Sequence, residues 1–274
     1  IIKIEPGDSS YVLVVLYGVI GAILWNILTW WLGLPTSSSH ALIGGLIGAA
    51  MMYAGLQILR IKKIMFIVAF IFISPLIGFI LGFFFIFLLF WTLQNFRPGI
   101  LNKIFRKGQL VSAALYSIGH GANDAQKTMG IIVAVLVAGG IFPASKQLSL
   151  HHFDTLWIIL SCQFAISLGT LFGGWRIVKT MGTKITKLKP IGGFSAELAS
   201  AISLFTATLL GIPVSTTHTI TGAIIGVGSA TTSFSRVKWG VATNIIWAWI
   251  LTIPGAGLLA ALLFYLHSLF VLFG

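Results

Sequence analysis

Acidic side chains are almost missing from this chain: five Asp and Glu stand against 17 Lys and Arg in 274 residues. Charged residues together make up 8% of the sequence, where a soluble globular domain carries about 25%, so an ordinary soluble fold is excluded. Cysteine is nearly missing too. Cys162 stands alone, which rules out an intrachain disulfide, and its apolar surroundings read as core. No stretch resembles a soluble domain or a low-complexity linker, and the alternating segments of an outer-membrane barrel do not occur. Ile1–Ser10 has no signal-peptide pattern. Gly-x-Ser-x-Gly and His-Glu-x-x-His motifs are also missing, which argues against reading the Ser, His and Asp residues as a membrane hydrolase.

What remains is hydrophobic. Apolar residues make up 57%, and apolar segments fall at 10–33, 35–56, 64–93, 110–139, 154–176, 191–210, 213–235 and 239–270. Segments near 20 residues long can cross the hydrocarbon as helices, so the fold class is all-α: a polytopic membrane protein. The net charge of +12 would point to nucleic acid in a soluble protein. Here the cations sit in the connections, as in membrane proteins that orient by positive charge, and no nucleic-acid partner is expected. Eleven basic residues fall in 94–109, 176–190 and at Arg236 and Lys238, and five at Lys3, Arg60, Lys62, Lys63 and Lys146. That imbalance places the first set in the cytoplasm. Trp30 and Trp31 read as an interfacial anchor before a helix stop at Gly33 and Pro35.

The segment 110–139 breaks the apolar pattern in its middle, at Gly119-His120-Gly121-Ala122-Asn123-Asp124-Ala125-Gln126-Lys127-Thr128-Met129-Gly130. Charges at this depth are costly and usually face a cavity. Its glycines are expected to let the helix break and bring backbone close to a ligand. The plain alternative is a buried Asp124–Lys127 pair that only fixes packing. Asn123, Gln126 and Thr128 add more polar capacity than such a pair needs, and the stretch reads as a site.

The chain also repeats itself. Leu34-Pro35-Thr36-Ser37-Ser38-Ser39-His40, with Gly44 and Gly48, matches Ile212-Pro213-Val214-Ser215-Thr216-Thr217-His218, with Gly222 and Gly226, at a constant offset of 178. If each apolar segment crosses once, five crossings separate the copies and they point in opposite directions, as in inverted-repeat transporters. If both elements are re-entrant while all else spans, the copies are parallel. Hydroxyls and free N–H groups at a helix start make an anion site without fixed charge; on its own, either copy would read as simple capping. Glu197 is the other acid expected within the membrane, where it and Asp124 are the candidate carriers of a cation or proton; a place at the membrane edge beside Lys187 or Lys189 is the alternative. Asn26 and Asn244 read as hydrogen-bond glue between helices. Glu5, Asp8 and Asp154, with His151 and His152, read as solvated.

On the Gly121-Ala122-Asn123-Asp124 signature and the Pro35–His40 and Pro213–His218 motifs, the sequence resembles the inorganic phosphate transporter family over essentially its whole length. The resemblance implies two inverted repeats with broken helices or helical hairpins, and symport of inorganic phosphate with H⁺ or Na⁺. It implies that Asn123 and Asp124 belong to the substrate or cation centre, with Ser37, Ser38, Ser39, Ser215, Thr216 and Thr217 around phosphate; Thr36, Gln126 and Lys127, in the same stretches, are further substrate-binding candidates. Asp124 and Glu197 would carry the coupling ion, and His40, His218 and His120 would serve gating or support. Family members have two Gly-Ala-Asn-Asp elements and this chain has one. The resemblance therefore implies that the leading part of the first repeat is not in the sequence, leaving 1–93 as its remainder, 94–109 as a basic connecting loop and 110–274 as the second repeat. Lys127 departs from sodium-coupled members, which often carry Asn there, and its ammonium would stand in the place of a cation, favouring H⁺. Another tetrahedral oxyanion such as sulfate, or an anion channel, are the alternatives. Expected partners are phosphate and membrane lipid, with a homodimer allowed; no enzyme activity, metal or organic cofactor is expected. The expected location is the cell membrane, multi-pass, the inner membrane in a bacterium.

Overall fold

The computed structural model describes residues 1–3, 10–143, 145–146, 148–149, 153–231, 234 and 237–273. Glu5, Asp8, His151, His152 and Arg236 lie outside the described residues. Among those described the protein is helical: α1 (Ser10–Leu32), α2 (Ser38–Ala54), α3 (Ile61–Leu93), α4 (Pro98–Ala138), α5 (Phe153–Phe172), α6 (Trp175–Lys179), α7 (Pro190–Leu209), α8 (Thr216–Thr231) and α9 (Trp239–Phe273). Four of them, α1, α3, α5 and α9, are long and apolar enough to cross a membrane.

Two expectations from the sequence do not hold. The Gly119–Gly130 stretch does not break its helix: α4 runs unbroken for 41 residues, about 60 Å of rise. An intact helix keeps every backbone N–H and C=O paired where water is scarce, and the polar side chains reach the interior without any unwinding. The connection 94–109 is mostly not a loop either, because Pro98 starts α4 at a position where its missing N–H costs nothing.

α1 and α2 form one hairpin, α7 and α8 another, and the same chemistry turns both. Gly33 and Gly211 take φ of 69° and 66°, a conformation other L-residues resist. Each ends its helix with the same bond pair, Gly33 N to Trp30 O and Leu34 N to Thr29 O, then Gly211 N to Thr208 O and Ile212 N to Ala207 O. Ser37 and Ser215 then cap the next helices, each hydroxyl accepting from the backbone N–H three residues on, of His40 and His218, at 3.3 Å.

Each second hairpin arm packs more extensively across the molecule than on its own neighbour. α2 lies along α9 and α8 lies along α3. Gly44 and Gly48 face the backbone of Ile253 and Gly257; Gly222 and Gly226 face that of Pro75 and Phe79. Every residue in the first set has its counterpart 178 positions away in the second, with the partners exchanged, which is the relation a two-fold axis imposes. The closest approaches need glycine. A Cβ on Gly48 would stand 1.9 Å from Gly257 O, and one on Gly226 2.2 Å from Phe79 O.

α4 runs parallel to α7, with Gly108 beside Phe194 and Gly119 beside Leu204. This brings Arg97, Lys103, Arg106 and Lys107 to the same end of the bundle as Lys187 and Lys189, and Lys238 N joins them through Ile185 O at 3.1 Å. Arg60, Lys62 and Lys63 lie at the other end, where Arg60 N bonds Ile1 O and Ile2 and Leu59 share a core with Ala138. The bundle thus has one strongly basic face. Filling the crossings should be costly: Gly48→Leu or Gly226→Leu should each destabilise by at least about 1–3 kcal/mol. Gly130→Ala, on a helix with open space around it, should be neutral or slightly stabilising. Melting temperatures in detergent check this, and equal melting of all three variants would contradict the packing.

Candidate functional site

The two hairpins meet tip to tip. His40 and His218, in the first turns of α2 and α8, lie edge to face with ring centroids 4.8 Å apart. The His218 ring stacks on Trp249 at 4.0 Å, and its Nδ1 donates to Ile71 O at 3.2 Å. Trp249 Nε1 donates to Pro35 O at 2.8 Å, so one indole braces both tips. Thr217 Oγ1 donates across the junction to Thr36 O at 3.3 Å. Two helix N-termini therefore converge here, and their dipoles make the region electropositive.

Asp124 enters this junction from α4. Its Oδ1 accepts from Lys127 Nζ at 3.0 Å, Asn123 Nδ2 at 3.2 Å and, at the limit of a hydrogen bond, Ser39 Oγ at 3.5 Å. Its Oδ2 accepts from Thr216 Oγ1 at 3.1 Å and lies 3.1 Å from His120 Nε2. The carboxylate thus touches both hairpin tips. Lys127 Nζ also donates to Ser39 Oγ at 2.9 Å and Val214 O at 3.1 Å. Asn123 Nδ2 shares Val214 O at 3.3 Å. Lys127 therefore sits among a carboxylate, a hydroxyl and a backbone carbonyl, hard oxygen donors of the kind that bind small cations. Two cavities open beside Asp124. One of about 480 Å³ is lined by Ser38, Thr128 and Cys162, and one of about 160 Å³ by Asn26, Ser39 and Lys127.

Most of the residues expected at a site are brought together: Thr36, Ser37, Ser39, Asn123, Asp124, Lys127, Ser215, Thr216 and Thr217, with the three histidines around them. Ser38 is exposed and faces the cavities, although its counterpart Thr216 is buried against Asp124. Gln126 is exposed on another face of α4 and stands apart from the cluster. Glu197 is also apart. It accepts from Ser112 Oγ at 2.6 Å between α4 and α7, 12 residues or about 18 Å of helix rise from Asp124. It pairs with neither Lys187 nor Lys189 among the described residues. Asn26 lines a cavity and Asn244 is exposed, so neither is seen to tie helices together. Asp154 pairs with Lys146. Among the described residues no cluster of three His, Cys, Asp or Glu could hold a metal ion. Trp249 and the Val214 carbonyl were not legible as site groups. The repeat offers no signal for Trp249, since its counterpart is Ile71, and a carbonyl carries no side-chain signature.

Residues 1–260 match the profile of the phosphate transporter family. A Rhizobium meliloti (strain 1021) protein named "Probable low-affinity inorganic phosphate transporter" is 50% identical over 266 residues, covering 97% of this chain and 77% of that protein. A Bacillus subtilis (strain 168) protein of the same name is 39% identical over 256 residues, covering 93% and 75%. A solved structure described as "The sodium-dependent phosphate transporter" superposes with a TM-score of 0.79 at 24% identity, over 97% of this chain and 81% of that one, a likeness of fold.

The pair at the junction can be tested as a pair. Asp124→Asn strips the partly buried Lys127 ammonium of its counter-charge, and Lys127→Gln does the converse; each should destabilise by roughly 2–4 kcal/mol. The double variant should recover at least about 1 kcal/mol of the summed loss. Additive losses in melting experiments would show that the two groups do not interact.

Proposed function

Since the chain belongs to the phosphate transporter family, we propose that it is a secondary active symporter of inorganic phosphate and that the hairpin junction is its substrate site. Membership of a family of transporters, not of enzymes, fits a site built from hydroxyls, helix ends and one ion pair. The observation that carries the reading is the meeting of both Ser/Thr runs with Asp124 and Lys127 at one point. Dihydrogen phosphate both accepts and donates hydrogen bonds. Ser38, Ser39, Thr216, Thr217 and the Lys127 ammonium supply donors, and Asp124 supplies the acceptor that a protonated oxyanion needs.

Depth supports this placement. Ile71 and Trp249, which contact His218, each lie ten residues from the start of α3 and α9, about 15 Å of rise and half of a ~30 Å hydrocarbon core. The basic face is then cytoplasmic, and the chain lies in the cell membrane as a multi-pass protein. Residues 1–93 belong to one repeat and 110–274 to the second, a division supported by the two-fold exchange of packing partners between α1–α3 and α7–α9.

The coupling ion on this half of the site is a proton. Lys127 Nζ holds the oxygen set that a sodium ion would need, and a second cation there would be repelled by roughly a few kcal/mol at intermediate dielectric. The solved relative's description as sodium-dependent keeps Na⁺ the competing choice. Asp124, Glu197 or the phosphate itself carries the proton. Radiolabelled phosphate uptake into proteoliposomes, with imposed pH and sodium gradients, decides. The pH gradient should drive uptake without sodium, and Lys127→Gln should lower that uptake at least about tenfold, the size of effect expected from losing a charge-assisted contact. Lys127→Asn should regain part of it when sodium is added. Wild-type uptake that requires sodium and ignores the pH gradient would overturn proton coupling, and no phosphate uptake under any gradient would overturn the transport reading.

A further inference from the structure

Beside the Asp124 centre lies a larger opening that the reading above does not use. A cleft of about 610 Å³ separates residues 117–122 of α4 from residues 163–171 of α5. Its α5 wall presents Gln163, Ser167 and Thr170, which share one helix face. Its α4 wall presents Ser117, His120 and Gly121. Beside this stripe, the outward flank of α5 is apolar and exposed at Leu160, Phe164 and Leu168. Among the described residues α5 packs chiefly on α4, so the polar stripe is not glue to a third helix.

The stripe needs a polar occupant. Thr170 satisfies its own hydroxyl on Ile166 O at 2.8 Å, but the half-buried Gln163 amide has no partner among the described residues. An amide facing hydrocarbon without a hydrogen bond costs several kcal/mol, a penalty that water removes. Both ends of the cleft are informative. At the inner end stands His120, with Nε2 3.1 Å from Asp124 Oδ2, and Ile166 is shared with the cavity that Asp124 lines. At the outer end, α4 leads back to Lys107 and Arg106 and α5 leads on to Arg176, all on the basic face.

We propose that the α4–α5 cleft is the aqueous route by which phosphate passes between the Asp124–Lys127 centre and the basic, cytoplasmic face, with His120 as the partition between route and site. The route rests on the transport reading and on its orientation. Cations at the mouth raise the local concentration of an anion. Within the cleft, hydroxyl and amide groups exchange hydrogen bonds with the ion without a fixed charge that would trap it.

Cysteine accessibility tests the route in the full-length protein, reconstituted in vesicles of both orientations. In a Cys162→Ala background, single Gln163→Cys, Ser167→Cys and Thr170→Cys variants are treated with the anionic, membrane-impermeant reagent methanethiosulfonate ethylsulfonate. Phe164→Cys and Leu168→Cys serve as lipid-facing controls. The reagent needs a hydrated thiolate, so the cleft cysteines should react from the basic face at least about tenfold faster than the controls. Inorganic phosphate should slow Gln163→Cys, nearest the site, more than Thr170→Cys, nearest the mouth. Three positions along the cleft keep the test alive if one variant fails to fold. Cleft cysteines as slow as the controls, or reactive only from the opposite face, overturn the route. Phosphate uptake with an unreactive cleft sinks the route alone, whereas a reactive cleft in a protein that moves no phosphate sinks the transport reading.

Discussion

A carboxylate set deep in an apolar helix bundle must be surrounded by donors, and in this protein the surroundings of Asp124 explain much of the rest. No single element provides them. Ser39 arrives from α2, Thr216 from α8, and Asn123, Lys127 and His120 from α4 itself. Two hairpins must therefore turn inward and meet, which requires the left-handed glycines at 33 and 211. Their second arms must lie against long neighbours at nearly backbone contact, which requires Gly48 and Gly226. α4 must stay intact, because any unwinding would add unpaired backbone groups to a place already short of water.

The packing obeys a two-fold relation, but the chemistry at the junction does not. The counterpart of Ser39 is Thr217 and that of Thr216 is Ser38, 178 positions away in each case. Ser39 and Thr216 touch Asp124. Thr217 spends its hydroxyl on Thr36 O, and Ser38 is exposed to the cavities. Ser38 is thus the one hydroxyl of these four with no protein partner among the described residues, and it opens onto the same cavities that Asp124 lines.

Much of this was legible from residue order. The eight apolar segments correspond closely to the eight long helices, because twenty-odd apolar residues leave few alternatives to a helix. The internal repeat pointed to the junction, since a Pro, three hydroxyl or small residues, a His and two spaced glycines recur in register. The intact α4 was not legible: glycine permits a break and does not demand one, and continuity here is decided by tertiary packing against α7. Nor was the three-turn helical start of α4, where basic residues read as a loop although the helix simply continues beyond the apolar stretch. The brace by Trp249 depends on which helix a neighbour crosses, and one-dimensional order does not carry that. Gln126 shows the limit of reading a motif as a block, since a helix turns it about 200° away from Asp124.

On the proposed reading, the bonds that hold the junction closed are also the bonds phosphate would use. An oxyanion entering beside Asp124 competes with its carboxylate for Lys127 Nζ, Ser39 Oγ and Thr216 Oγ1. Each hydrogen bond that the ion takes up is withdrawn from the attachment of a hairpin tip to α4. Occupancy and tip attachment are then coupled through a shared set of donors, with no separate relay required. The tethered ammonium makes this sharper than a mobile cation would. A sodium ion could leave with the substrate and let the tips part on the far side. Lys127 stays, and after release it returns to Asp124, Ser39 and the Val214 carbonyl. In that arrangement the lysine resets the junction, and the proposed proton, travelling with phosphate or taken up nearby, would supply the free energy for net movement.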